Sequence, residues 1–314
     1  MIPNSKKFPT ASREGFNQQI NRSFMKKILL SCAFIVILSG VSFGQSDTSY
    51  WNKNGKISFN FSQSHLSNWS AGGQSALNGL GLFNYNANYK KADKIWDNSL
   101  GLTLGYSLIG DAKAMKTDDK IEFNSLFGLQ AIENKLYYSL SFSFKTQFAD
   151  GFDYKNDSTT PISGLFSPAY LTLGAGMDWK PNAFFSINFS PLTGRMTIVT
   201  IKELYEVGAF GVDKGSTTRF ELGAKAMFKF EKEIVKNVTF ASKLELFTDY
   251  LKNPQNVDVD WQNLITMKVN SWLNANIATH LIYDDDITIT DKDGNSGPRT
   301  QFKEVLSVGL SYAF

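Results

Sequence analysis

The feature that most constrains this chain is an alternation of large apolar with small or polar residues, from about residue 55 onward. Leu136, Tyr138, Leu140, Phe142 and Phe144 interleave with Tyr137, Ser139, Ser141, Ser143 and Lys145. Trp96, Leu100, Leu102, Leu104, Tyr106 and Leu108 do the same with Asp97, Ser99, Gly101, Thr103, Gly105 and Ser107. A third row sets Phe220, Leu222, Ala224, Ala226, Phe228 and Phe230 against Arg219, Glu221, Gly223, Lys225, Met227 and Lys229. Successive side chains of a strand point to opposite faces, so a period of two makes one face apolar; a helix would need 3.6. The pattern predicts strands over 56–63, 77–90, 96–109, 119–131, 135–148, 168–180, 182–190, 217–230, 236–250, 257–269, 272–283 and 300–314.

The apolar rows need an apolar surround, and the opposing rows, rich in Lys, Glu, Asp, Asn, Ser and Gly, do not tolerate one. A soluble sandwich also alternates, but its core has limited volume, and few helices or loops remain here to cover so many long apolar rows. The rows are therefore expected to face lipid. In lipid an open sheet edge leaves backbone groups unsatisfied at several kcal/mol each, so the wall must close. The expected fold is all-β: a closed antiparallel transmembrane β-barrel of about 12 strands (about 10–14), preceded by a cleavable signal peptide. Mean hydropathy is only −0.21, as suits a wall in which alternate residues meet lipid. No interior stretch reaches the roughly 18 apolar residues of a transmembrane helix.

The connections alternate between long and short almost throughout. Outer-membrane barrels have long external loops and short periplasmic turns, with both termini on the periplasmic side. Trp96, Trp179 and Trp272 fall beside expected short turns, where an interfacial aromatic girdle would sit. The loops 149–167 and 191–216 exceed what ordinary connections need. The second holds the apolar run Thr197–Ile201, expected either to fold into the mouth or to project as a hairpin.

Residues 25–44 have the three parts of a secretory signal: Met25-Lys26-Lys27, an apolar run Ile28–Leu38, and Ser42-Phe43-Gly44 before Gln45. Residues 1–24 form a polar leader, with Met25 a candidate biological start, and 45–314 form the single barrel domain. Lipidation at Cys32 is disfavoured, because too few apolar residues precede it and too many follow. Six of the 32 bases and one of the 29 acids lie within residues 1–44, which leaves the rest at −2. The overall basicity therefore gives no reason to expect a nucleic-acid partner.

Functional residues are sparse. Among catalytic types, His65 lies near Ser67 and Asn68, and His280 precedes Asp284-Asp285-Asp286, but neither spacing is specific, so an outer-membrane hydrolase is the least favoured alternative and no enzyme is expected. The acidic run, with Asp291 and Asp293, lacks the distal bidentate Glu of a calcium loop, so neither metal nor cofactor is expected. The candidate lumen lining is Lys145, Asp178, Arg219, Glu221, Lys225, Lys229, Lys243, Glu245 and Asp249, with Asp258, Asp260, Lys268 and Lys303 on further rows. Two readings of it stand open. One is a polar channel or uptake path for small solutes. The other is a lumen closed by cross-strand ion pairs, such as Arg219 or Lys225 with Glu245 or Asp249, in a structural barrel that meets partners through its loops.

The chain ends Ser307-Val308-Gly309-Leu310-Ser311-Tyr312-Ala313-Phe314. Gly309, Tyr312 and Phe314 resemble the C-terminal signal that outer-membrane barrels present to the barrel-assembly machinery. The expected surroundings are therefore outer-membrane lipid, reached after secretion across the inner membrane. Asn68-Trp69-Ser70-Ala71-Gly72-Gly73, Asn78-Gly79 and Asn84-Tyr85, then Ser190–Gly194 and Gly208–Val212, resemble an uncharacterised Bacteroidota-type outer-membrane family, domain of unknown function 3078. The resemblance implies the barrel and its compartment, and no activity.

Overall fold

The computed structural model describes residues 49–64, 74–110, 112–133, 135–154, 159–290 and 295–314. The expected leader 1–24 and expected signal segment 25–44, with Cys32, His65, Asn68–Gly73, Asp291 and Asp293, lie outside these residues. The unit Tyr50–Phe314 is built on twelve long strands closed into one ring. They are β1 (Trp51–Ser64), β2 (Ala76–Lys91), β3 (Lys94–Ile109), β4 (Met115–Ile132), β5 (Leu136–Thr146) and β6 (Ala169–Asn182). The ring continues with β7 (Phe185–Ile198), β8 (Thr218–Val235), β9 (Val238–Asp249), β10 (Asp258–Lys268), β11 (Leu273–Tyr283) and β12 (Gln301–Ala313).

Each strand pairs antiparallel with its chain neighbours, and β1 pairs with β12 from Lys56↔Ala313 to Phe61↔Val308. Reciprocal backbone bonds extend this seam, Gly55 N to Phe314 O at 2.7 Å and Phe314 N to Gly55 O at 2.9 Å. Two glycines fit the seam to its neighbours. A Cβ on Gly55 would run into the Phe314 ring, and one on Gly309 into the Asn60 side chain. The short turns 92–93, 133–135, 183–184, 236–237 and 269–272 share one rim with both ends of the barrel, and the long connections share the other.

Burial is inverted relative to a water-soluble protein. The largest fully buried side chains are Lys225 and Glu221, whereas Leu306 is 71% exposed, Phe220 64% and Leu173 54%. Of 26 phenylalanines, Phe247 alone is buried among the described residues. Charged groups leave water only at large cost, and apolar surface on this scale needs a cover. The polar rows therefore line the inside, and the apolar rows form the transmembrane face.

At the short-turn rim, Trp51 packs on Tyr89 and Trp96 with ring centroids 5.3 and 5.7 Å apart. Trp179 meets Phe185 at 6.3 Å, and Phe184 meets Phe230 at 5.8 Å. Lys91 lies 4.5 Å over the Tyr50 ring and Lys232 4.6 Å over Phe184. These amines reach past the rings toward water, as amphipathic side chains do at a membrane boundary.

Strand β7 differs most from expectation, running to Ile198 rather than ending near 190. Proline lacks the ladder N–H, which argues against a strand continuing through Pro191. The protein places Pro191 in bulges, where the register shifts against β6 and β8 both, so no ladder bond is missing there. The connection is consequently 199–217, and Thr197 and Ile198 belong to the wall. Strand β8 extends past 230 to Val235 through Glu231, Lys232 and Glu233, whose polarity hides a strand once it leaves the apolar layer.

The connection 199–217 has its own structure. A one-turn helix α1 (Lys202–Tyr205) and a short 3-10 turn, Ala209–Gly211, enclose buried Val199, Leu204 and Val212, with Ile201, Tyr205 and Phe210 against them. Small two-stranded ribbons decorate two other long connections, Gly151–Phe152 with Pro161–Ser163, and Thr288–Thr290 with Ser296–Pro298.

Candidate functional site: the lumen

Twelve strands about 4.8 Å apart, tilted by about 40°, give a backbone radius of roughly 12 Å. Long side chains from facing walls therefore meet near the axis, while short ones leave space. Both conditions occur in this lumen, at different heights.

At mid-height, charges from β4 and β5 meet charges from β9 and β10, strands four to six positions apart around a ring of twelve. Lys145 Nζ of β5 lies 3.3 Å from Glu245 Oε1 and 3.2 Å from Asp260 Oδ2. Glu122 of β4 binds Lys243 of β9 and, at 3.0 Å, Lys120 on its own strand. Lys120 donates to Gln262 Oε1 of β10 at 3.3 Å. Gln262 donates to Asp260 at 2.9 Å, and His280 Nε2 lies 2.9 Å from the same oxygen. One hydrogen-bonded bridge thus crosses the lumen at mid-height.

A second cluster lies nearer the long-loop rim. Arg195 grips Glu221 with two bonds, Nε to Oε2 at 2.7 Å and Nη2 to Oε1 at 2.5 Å. It also pairs with Asp258 at 2.7 Å and lies 4.1 Å over the Phe247 ring. Arg219 holds Glu221 at 3.1 Å and Asp286 at 2.5 Å, which ties connection 284–300 to the wall. Lys303 reaches Asp118 across the upper lumen at 2.8 Å.

Toward the short-turn rim the lumen opens into a cavity of about 220 Å³. Lys180 bridges Asp97 at 2.5 Å and Asp178 at 3.2 Å at its edge. Asn188 donates to Ser139 at 3.0 Å, and Ser190 donates to Asn188 at 3.0 Å.

Of the residues expected to line the lumen, Lys145, Lys243 and Glu245 meet in or beside the bridge. Arg219 and Glu221 meet in the upper cluster, and Asp178, Lys225 and Lys229 line the lower cavity. Asp249 stands apart, accepting the Leu251 N–H at 3.0 Å in the turn after β9. The expected neighbour pairs form differently. The register Gly223↔Asp249 sets Arg219 beyond the end of β9, so it turns to Glu221 and Asp286. Lys145 takes Glu245 from across the lumen, and Lys225 makes no ion pair among the described residues. His280 is held by Asp260 within the bridge. Asp286 is tied to Arg219 and Lys252, and Asp285 to Asn256.

Sequence reasoning missed Arg195, because Pro191 made its segment look like loop. It also missed Glu122, although Ile121 and Phe123 on either side already assign Glu122 to the inward row.

The family model described as "Protein of unknown function (DUF3078)" matches residues 61–152. The resemblance expected from Asn68–Tyr85 thus holds over that span, which stops short of Ser190–Val212. No curated protein matches the chain. Among solved structures, the chain is similar to the translocator domain of autotransporter NalP from Neisseria meningitidis. That likeness has 11% identity and a TM-score of 0.37, and covers 94% of this chain and 98% of that one. It is also similar to the NanC porin, at 9% identity and TM-score 0.37, covering 83% and 98%. The toluene transporter TodX of P. putida follows at 9% identity and TM-score 0.26, covering 85% and 90%.

Proposed function

We propose that this chain is an integral outer-membrane barrel, secreted by way of its leader, that passes small polar solutes through a constricted lumen. The observation that carries the reading is the inverted burial: a ring of lipid-seeking side chains surrounds buried Lys225 and Glu221 and the half-buried Arg195. A barrel that only anchored loops would be more stable with an apolar filling, because buried ion pairs seldom outweigh their desolvation. Retained charge fits a lumen that handles charged or polar solutes. Lipid is the partner of the outer face, and β12, with Gly309, Tyr312 and Phe314, is the strand offered to the assembly machinery. The reading invokes no catalytic step, cofactor or nucleic acid.

Purified protein in planar bilayers tests it. Small conductance steps are expected, increasing when Lys145→Ala or Lys243→Ala opens the mid-height bridge. A barrel that stays silent in native and variant forms would refute passage.

A second reading is favoured by the packed core of connection 199–217, since a loop with its own core holds a defined outer shape. In that reading the barrel is a scaffold whose loops bind a surface partner. Deleting 200–216 would then abolish partner binding and leave any conductance unaltered.

A further inference from the structure

We infer that the lower lumen cavity, bounded by Lys225, Lys229 and a facing wall of amides and hydroxyls, binds a small hydroxylated carboxylate. The inference rests on the reading that solutes enter this lumen, and it adds a resting place and a chemical class.

Lys225 is the strongest pointer. It is 2% exposed, lines the cavity, and has no hydrogen-bond or ion-pair partner among the described residues. An ammonium withdrawn from water without a partner costs several kcal/mol, so the position is poorly suited to an empty barrel and well suited to an anion. Lys229 lines the same cavity from the same strand and lacks a partner in the same sense. It stands directly across the ladder from Lys243, a like charge.

The nearby carboxylates make their direct ion pairs with other lysines, Glu245 through Oε1 alone. Asp97 and Asp178 share Lys180, Glu122 holds Lys243, and Glu245 is taken by Lys145. Lys225 therefore keeps no direct ion pair among the described residues, and a carboxylate can bind its ammonium through charge-assisted hydrogen bonds, with the more exposed Lys229 adding positive charge further along the same strand.

The remaining wall sets the rest of the ligand. Asn86, Ser99, Asn124 and Ser141 face the cavity from β2 to β5, and among the described residues the Asn124 amide oxygen has no hydrogen-bond donor. These groups pair with hydroxyls, while Leu126, Phe142 and Met227 in the same lining meet the carbon backbone of the ligand. At about 220 Å³, the cavity falls below the roughly 300–1,000 Å³ of pockets for drug-sized ligands. It suits a solute no larger than one sugar unit.

The test uses the purified full-length protein in nanodiscs, with binding followed by saturation-transfer NMR. Gluconate and sorbitol are the probes, because they share a polyhydroxyl chain and differ in the carboxylate. Gluconate is expected to bind at least about tenfold tighter than sorbitol. Lys225→Gln and Lys229→Gln should each weaken gluconate by about tenfold, the scale of one charge-assisted hydrogen bond, and leave sorbitol unchanged. Heat-modifiable gel mobility verifies that each variant barrel is folded. Equal binding of the two probes, or folded variants that bind gluconate like the native chain, would overturn the site. Inorganic phosphate binding as tightly as gluconate would overturn the role given to the hydroxyl-matching wall. Conductance of the same proteins in planar bilayers separates the two readings. Conductance without gluconate binding removes the site alone, and gluconate binding in a silent barrel removes passage alone.

Discussion

Replacing Lys145 by alanine gives the sharpest stability test of the mid-height bridge. Its ammonium is the direct link between β5 and both Glu245 and Asp260 on the far wall. Asp260 keeps His280 and Gln262 after the change, but Glu245 loses its only direct ion pair among the described residues, with its Oε2 having no hydrogen-bond partner among them. Breaking one side of a buried ion pair costs about 3–5 kcal/mol. Lumen water moderates the loss, because the Lys145 and Asp260 side chains are 19% and 26% exposed. The expected destabilisation is therefore about 2–3 kcal/mol. Urea unfolding in lipid vesicles, followed by tryptophan fluorescence, reads it as a lower midpoint at unchanged slope. Adding Glu245→Gln to Lys145→Ala should recover at least half of the loss, because it removes the stranded charge. The reasoning fails if Lys145→Ala alone costs under about 0.5 kcal/mol, the scale of a solvated surface pair. It fails equally if the two substitutions simply add, since groups in contact should couple.

Three further outcomes follow from the structure. Gly309→Val should sharply reduce the heat-modifiable form on gels, because the Asn60 side chain and the Phe59 carbonyl occupy the space a side chain needs. Gly79→Ala, where the nearest ring atom of Phe59 is 3.6 Å away, should leave assembly normal. Leu204→Ala should weaken the core of connection 199–217 by about 2 kcal/mol and speed tryptic cleavage there roughly 30-fold, with barrel mobility on gels unchanged. For Asp286, burial favours the neutral acid, but the hydrogen bond and charge of Arg219, with Lys252, outweigh it and hold the pKa below its ordinary value. A depressed carboxylate stabilises the fold above the ordinary value of about 3.9 and loses that contribution as pH falls through the folded value. Amide exchange in 284–290, corrected for intrinsic rates, should thus hold steady from pH 7 to about 5 and rise below about 4. Asp286→Asn should raise it at neutral pH and remove the acid step.

The sequence by itself determined the wall. Side-chain direction flips with each residue, so the rows through Leu136–Phe144 and Phe220–Phe230 assign inside and outside without reference to any other strand. The unpaired edges that lipid forbids then require closure, and the alternation of long and short connections orders the rims. Only the tertiary structure decided what the inside is like. Whether Glu245 meets Lys225 beside it or Lys145 opposite depends on register and ring diameter, which bring together residues a hundred positions apart. Pro191 shows the same limit within one strand: the bulges that accommodate it exist only because β6 and β8 slip their register to match. Local periodicity encodes which face a residue takes, whereas the lumen is assembled from the ends of side chains that no local pattern relates.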